Sequence, residues 1–297
     1  MGAELAQYRK PAISVATRRQ RTTRRRRAGS LAIYLPLSFL TLLALAPVVW
    51  MLFSSLKSYS EFYLNPWLWP REWHWENYAR VWVGANFGLY FANSVIMVTS
   101  SVTGMVIVGS MAGYALARYR FPGRESTLYY FISGQIVPAQ VVLIPLFIII
   151  RFLGLLNTRQ GLFLVYLGAS MPFVVFMMQG FFKAIPHELE EAARMDGAGE
   201  LRIFWQIMLP LARPGIGSLA IFQTLYIWNE FLFALLFANK PELRTLPIGI
   251  FSVIGQYFTD YPVFFAGLAV AMLPSVALYV IFSKYILRGV ISGAVKG

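Results

Sequence analysis

Six stretches of this chain run for about 20 residues with few or no charges, the length a helix needs to cross roughly 30 Å of hydrocarbon. The first is Leu31 to Leu56, ending before Lys57, and the second runs from about Leu89 to Ala117, ending before Arg118. The third is Leu128 to Ile150 and the fourth Leu162 to Phe182. The fifth, Ile216 to Ala238, is interrupted by Asn229 and Glu230, and the sixth, Val263 to Phe282, ends before Lys284. None alternates apolar and polar residues over about ten positions, as a barrel strand would. Backbone groups in lipid must hydrogen-bond internally, so the pattern predicts an all-α polytopic membrane protein with six transmembrane helices. Pro138, Pro145, Pro172 and Pro274 predict kinks or local unwinding inside spans, where freed carbonyls can line a cavity. Gly109 and Gly113 form a G-x-x-x-G pair that predicts close helix packing.

Composition agrees. Of 297 residues, 58% are hydrophobic and 13% charged, about half the charge of a soluble domain. An ordinary soluble enzyme and a disordered chain are both excluded. The net charge of +13 is concentrated, with nine basic residues in the first 30 positions. With the N-terminus in the cytoplasm, 19 Lys and Arg fall on inner segments and seven on outer ones, so both termini are predicted to be cytoplasmic. The resulting organisation is a basic tail over residues 1–30, a six-helix membrane domain over 31–288 and a short cytoplasmic tail over 289–297. The arginine run between Arg18 and Arg27 reads as a topology signal and anionic-lipid contact ahead of a span, not as a nucleic-acid site. Ala44-Leu45-Ala46 resembles a signal-peptidase site, but Pro47 follows and the apolar run continues. Between the first two spans lie Trp67, Trp69, Trp73, Trp75 and Trp82, which suit a loop along the outer headgroups or, alternatively, a sugar-stacking platform.

No catalytic constellation is present. The chain has no cysteine and only two histidines, His74 and His187, on opposite sides of the predicted membrane. His187-Glu188-Leu189-Glu190-Glu191 starts like a zinc-protease motif but has Glu where the second histidine belongs. Gly197-Ala198-Gly199 lacks the third glycine of a dinucleotide loop. No lysine follows a glycine, so there is no phosphate-binding P-loop, and any ATP that drives this chain must be hydrolysed by another subunit.

The segment from Lys183 to Arg213, between the fourth and fifth spans, is polar and carries Glu188, Glu190, Glu191, Asp196 and Glu200. Pro186 suits a helix start, and the acids after it complement the helix dipole. Leu189, Ala192 and Ala193 make a small apolar stripe, and Gly197 is placed to stop the helix at positive φ. A second helix then runs through Phe204, Ile207 and Leu209 to Pro210, giving a cytoplasmic helix–turn–helix.

Glu191-Ala192-Ala193, then Gly197, then Ile207 and Leu209-Pro210 matches, in every fixed position and both spacings, the loop of permease subunits of ABC importers. Further stretches resemble the MalG-type carbohydrate permeases, the second permease of maltose-type importers. These are Tyr114 to Arg124, Leu153-Gly154-Leu155-Leu156-Asn157-Thr158, Trp228-Asn229-Glu230-Phe231-Leu232 and the C-terminal Gly293-Ala294-Val295-Lys296-Gly297. The resemblance covers about Leu31 to Gly297; the arginine-rich tail departs from it. It implies a type I ABC importer permease fold and a role in sugar or oligosaccharide import across the bacterial inner membrane. A second, different permease would complete the pore, two cytoplasmic ATP-binding subunits would hold ATP and Mg, and an extracytoplasmic solute-binding protein would deliver the carbohydrate. No cofactor is implied in this chain. The helix at Glu191 would couple to the ATPases, and Ala294, Val295 and Lys296 of the tail would touch them.

Glu230 is the only acid inside a predicted span, and a charge at mid-bilayer costs roughly 2.5–3.5 kcal/mol, so it should not face lipid. With Tyr226, Trp228 and Asn229 it could line a sugar pathway, or it could hold helices together. Gln135, Gln140 and Gln179 are further polar candidates. A rival from another class is a proton-coupled secondary transporter using Glu230. Such carriers often show repeats and several intramembrane charges, and neither is evident here.

Overall fold

The computed structural model describes the backbone of residues 14–256 and 260–294, with side chains over 33–251, 253 and 260–282. All regular structure among these residues is helical. Four helices contain a continuous apolar stretch long enough to span a membrane: α1 (Ser14–Ser54), α4 (Phe87–Arg118), α7 (Arg159–Ala184) and α14 (Tyr261–Ala294). They enclose the predicted second, fourth and sixth spans, and α1 covers the first except for its last two residues. The backbone of α1 begins at Ser14, so the helix runs back through most of the arginine-rich segment.

The third and fifth predicted spans are broken. The third divides into α5 (Arg124–Gly134) and α6 (Ala139–Phe152), bent by 105° at the break. Pro138 sits there in an extended conformation at ψ 136°; it has no N–H to continue a helix and biases the residue before it away from α. The fifth divides into α11 (Arg213–Trp228) and a single-turn-and-a-half α12 (Leu232–Phe237). After α12 the chain turns and forms α13 (Leu246–Gln256), an apolar helix within what the charge pattern assigned to an outer loop. Leu246 and Ile248 of α13 are buried in the common core. Six uninterrupted helices are therefore not seen among the described residues: four are continuous and long enough to span, and α5 with α6 makes a fifth passage if the bent pair is one span.

α4 and α7 form the centre. Their contacts advance in the same direction, Gly104 on Phe163, Gly109 on Val174 and Gly113 on Met178, so the two helices run parallel. A Cβ added at Gly109 would lie 2.1 Å from Val174 Cγ1, and one at Gly113 would lie 2.8 Å from the Gln179 backbone nitrogen. The G-x-x-x-G pair is thus a contact surface where glycine lets two backbones approach. α11, α13 and α14 pack around this pair. α1 stands apart, touching the rest near its C-terminal end, where Trp50 packs edge-on against Phe265 of α14 at 5.1 Å.

The chain after α1 folds over that end through α2 (Tyr59–Leu64) and α3 (Glu76–Ala79). Lys57 is fully buried and donates from Nζ to the carbonyls of Asn65 (2.9 Å) and Pro66 (3.0 Å). Burial lowers its pKa from the ordinary lysine value. Trp67, Trp69, Trp73 and Trp75 stand exposed around it. The turn after α6 has positive φ at Gly154 (70°) and Asn157 (57°), and Thr158 caps α7 by accepting from the Gly161 N–H at 3.0 Å. Asn157 Oδ1 accepts from the Asn239 N–H, and Asn93 of α4 bonds the carbonyls of Glu242 and Arg244 while accepting from Arg159. The stretch Leu153 to Thr158 is thus part of a polar clasp joining the turn after α6, the link after α12 and the adjacent ends of α4 and α7.

Candidate functional site

Two places carry the candidate residues: the loop after α7 and the break after α11. In the first, α7 ends at Ala184 and α8 (Glu188–Met195) follows, with Pro186 just ahead of its cap residue His187. Glu188, Glu190 and Glu191 occupy the first turn, where negative charge complements the helix dipole. Gly197 turns the chain at φ +79°, as its position predicts. The second helix is built from α9 (Glu200–Ile203), a π-turn over Phe204–Met208 and α10 (Leu209–Leu211).

The buried face of α8 differs from the predicted stripe. Only Glu190 and Ala193 are buried; Leu189 and Ala192 are exposed. The reason is a charge at the end of another helix. Arg118, the last residue of α4, has a side chain only 1% exposed, and its Nε lies 2.8 Å from Glu190 Oε1, whose side chain is 2% exposed. A buried guanidinium needs an anion beside it, and rotating α8 to put Glu190 inward supplies one. Arg118 Nη2 also donates to the Ile185 carbonyl. At the rim, Arg194 donates to both oxygens of Glu200 (2.8 and 3.2 Å), and the Tyr119 hydroxyl donates to Glu200 at 2.7 Å. These bonds hold the Glu200 carboxyl below the usual carboxylate range, so they persist above that range and are lost only on strong acidification. Beneath, the Tyr114 ring packs on Phe182 (5.4 Å) and Phe204 (5.1 Å), tying α4, α7 and the second helix together.

Exposed on α8 and its turn are Glu188, Leu189, Glu191, Ala192, Arg194, Met195, Asp196 and Gly197, with Met195 89% exposed. Ile207, Leu209 and Pro210 are half-buried, and Ile207 and Leu209 pack against the core. The backbone of Ala294 closes α14, and Val295 and Lys296 lie outside the described residues.

At the second place, Glu230 follows the end of α11. Its Oε1 accepts from the Phe233 N–H at 2.7 Å, and its Oε2 from the Ala234 N–H at 3.0 Å and the Tyr166 hydroxyl at 2.9 Å. Glu230 therefore closes the first turn of α12 and ties it to α7. Trp228 faces the core, buried, with its Nε1 donating to the Ala271 carbonyl at 3.2 Å. Tyr226 is half-exposed, and Asn229 is exposed with its Nδ2 bonded back to the Leu225 carbonyl. Of the four pathway candidates, Tyr226 and Asn229 present themselves outward, Glu230 only in part and Trp228 not at all. Gln135 and Gln140 flank the exposed break between α5 and α6, whereas Gln179 is buried. Arg118, Glu190 and Tyr166 are the residues that patterning missed: a basic residue ending a span looks like an ordinary flank, and Glu190 is indistinguishable in sequence from the acids beside it.

The profile of the family described as "Binding-protein-dependent transport system inner membrane component" matches residues 105–292, more than half of the chain. The chain belongs to that family. Among such inner membrane components, it is similar to the diacetylchitobiose uptake system permease protein NgcG of Streptomyces coelicolor, with 38% identity over 86% of this chain and 85% of that one. It is also similar to the melibiose/raffinose/stachyose import permease protein MelC of Bacillus subtilis, with 34% identity over 84% of this chain and 91% of that one. A chain in the crystal structure of a bacterial ABC transporter involved in import of the acidic polysaccharide alginate superimposes with a TM-score of 0.79 at 26% identity, over 87% of this chain and 96% of that one. Membership makes the chain a transport component of a binding-protein-dependent system. It replaces the secondary-carrier reading, and the Glu230 carboxylate, engaged as a helix cap, supplies no separate support for one.

Proposed function

We propose that this chain is one of the two permeases of an ATP-driven carbohydrate importer. It would form the membrane pathway with a second, different permease. Two ATP-binding subunits would bind ATP and Mg on the cytoplasmic side, and an extracytoplasmic solute-binding protein would deliver the substrate, with both termini of this chain cytoplasmic. The carbohydrate class is supported by the relatives, whose names specify uptake of diacetylchitobiose and of melibiose, raffinose and stachyose. The lack of a Gly-Lys-Ser/Thr phosphate loop in this sequence supports the reading that other subunits would hydrolyse the ATP.

The observation that carries the coupling role is the shape of the loop after α7. Its helix is fixed on one face by Arg118 and leaves Glu191, Ala192 and Met195 outward, with a tight turn at Gly197. A short protruding helix end of this kind, mixing acids, Ala192 and the projecting Met195 side chain, would suit insertion into a cleft on a partner. Tyr226 and Asn229 would face the pathway or the second permease, because an amide exposed to hydrocarbon is costly. The test is copurification and reconstitution. The chain should bring down its ATPase subunits, and the complex in proteoliposomes should hydrolyse ATP faster when receptor loaded from a panel of diacetylchitobiose, raffinose and alginate oligosaccharide is added. ATP hydrolysis by the purified chain alone, or a chain that never copurifies with an ATPase, would overturn the reading.

A further inference from the structure

The outward face of α8 is attached to the membrane core by very little. α8 has eight residues, and only Glu190 and Ala193 are buried. A single methyl group on Ala193 gives contact without direction. The rim bonds between Arg194 and Glu200 are part-exposed, with side chains 42% and 49% accessible, and exposed pairs restrain little. The buried ionic restraint on α8 is therefore Glu190, held 2.8 Å from Arg118 Nε and 3.7 Å from Arg194 Nη2. The two ends of the Arg118–Glu190 pair belong to different helices, α4 and α8. Arg118 is the last residue of a 32-residue helix, itself locked to α7 through Gly109 and Gly113. The same guanidinium holds the Ile185 carbonyl in the link between α7 and α8. One side chain thus gathers the end of α4, the exit from α7 and the back of α8.

We propose that Arg118 and Glu190 are positioning residues for coupling. They transmit tilt of the α8 surface to α4, and through it to the α4–α7 pair, so that a displacement imposed on α8 moves the helices instead of being absorbed by a loose loop. This rests on the reading that α8 docks on the ATPase. A pair with only a structural role would be replaceable by apolar residues of similar size, since well-packed substitutes for buried ion pairs are commonly neutral for stability. A pair that transmits orientation would not.

The test uses the full complex in proteoliposomes, at equal inserted protein, with Arg118→Met/Glu190→Leu as the isosteric apolar variant, Glu190→Gln as the single break and Arg118→Lys as the conservative variant. In the apolar variant and in Glu190→Gln, copurification of the ATPases and basal hydrolysis should stay within twofold of wild type. Receptor-stimulated hydrolysis and uptake should fall at least tenfold. Arg118→Lys should retain at least a third of the stimulation. A geometric readout accompanies this. Nitroxides at His187→Cys, the cap residue of α8, and Ser126→Cys, in a chain with no native cysteine, should give one narrow distance distribution that broadens in the apolar variant. Wild-type stimulation in the apolar variant, or an unchanged distribution, overturns the proposal. Loss of ATPase copurification only in the variants also overturns it, by making the pair an assembly element. Failure of the wild-type chain to copurify would instead sink the reading of the loop as a docking site.

Discussion

Substituting Gly197 separates folding from docking, because the two effects rank the replacement side chains in opposite orders. Gly197 has φ +79°, a region in which an L-residue costs about 1–2 kcal/mol, with Asn and Asp more tolerant than Ala. A Cβ built there meets no other atom within 4 Å, so no steric cost within the chain adds to the strain. Set against the roughly 5–15 kcal/mol of a folded domain, that strain leaves Gly197→Ala, Gly197→Asn and Gly197→Asp inserted and folded. If the loss came from backbone strain, Ala would be the worst of the three. If the loop seats in a cleft, the side chain that is larger and charged should be worst. Overpacking costs about 1–3 kcal/mol, and an unpaired charge taken out of water adds several more, so Gly197→Asp should lower uptake by more than a hundredfold. Gly197→Asn should be intermediate and Gly197→Ala within about fivefold of wild type, since its strain is present docked or free. The assay is uptake and receptor-stimulated ATPase in vesicles, normalised to inserted chain. Near-normal transport by Gly197→Asp, or a poorer result for Gly197→Ala than for Gly197→Asp, would refute the docking argument.

Other consequences concern the core. Gly109→Ala puts a methyl against a side chain, Val174, whereas Gly113→Ala meets the Gln179 backbone as well as Met178. Each should destabilise by about 1–3 kcal/mol in detergent melts, with Val174→Ala rescuing the first and Met178→Ala failing to rescue the second; equal rescue would mean the helices shift freely. Glu230→Ala leaves two N–H groups and the Tyr166 hydroxyl without their acceptor, at about 1–3 kcal/mol for each. Tyr166→Phe removes only one of those bonds, so it should lower thermal stability far less. A Glu230→Ala protein as stable as wild type but inactive in uptake would return Glu230 to the sugar pathway.

The parts of this molecule legible in its sequence are those that lipid dictates. The spans at α4, α7 and α14 lie within the helices seen, because hydrocarbon demands long apolar runs and charged residues mark their ends. Gly109 and Gly113 were readable for the same reason: only small residues let helices in lipid come together. Gly197 was readable because positive φ selects glycine. Hydrophobicity does not report backbone direction. The helices on either side of the 105° break at Pro138 pass the span test together, and α13 is apolar in the manner of a span, so only the packing of neighbours chooses between a bent and a straight course. Trp228 illustrates the converse, an aromatic beside an amide and an acid that reads as sugar chemistry and instead hydrogen-bonds the Ala271 carbonyl.

The acids of α8 show why the site was legible at the level of the loop and not of the residue. Glu188, Glu190 and Glu191 all suit a helix N-terminus, so local physics cannot rank them. Pattern matching selected Glu191, which faces outward and makes no side-chain hydrogen bond or ion pair among the described residues. The acid that the fold requires is Glu190, and its requirement originates in Arg118, on a different helix. An arginine at the end of a span satisfies the membrane equally well whether its head reaches water or turns under the protein. Which of these occurs depends on whether an anion waits beneath, and which anion waits depends on the rotation of α8. Each choice fixes the other, so neither is written in its own segment. The same mutual dependence makes the pair a suitable place for the loop to sense the helices above it.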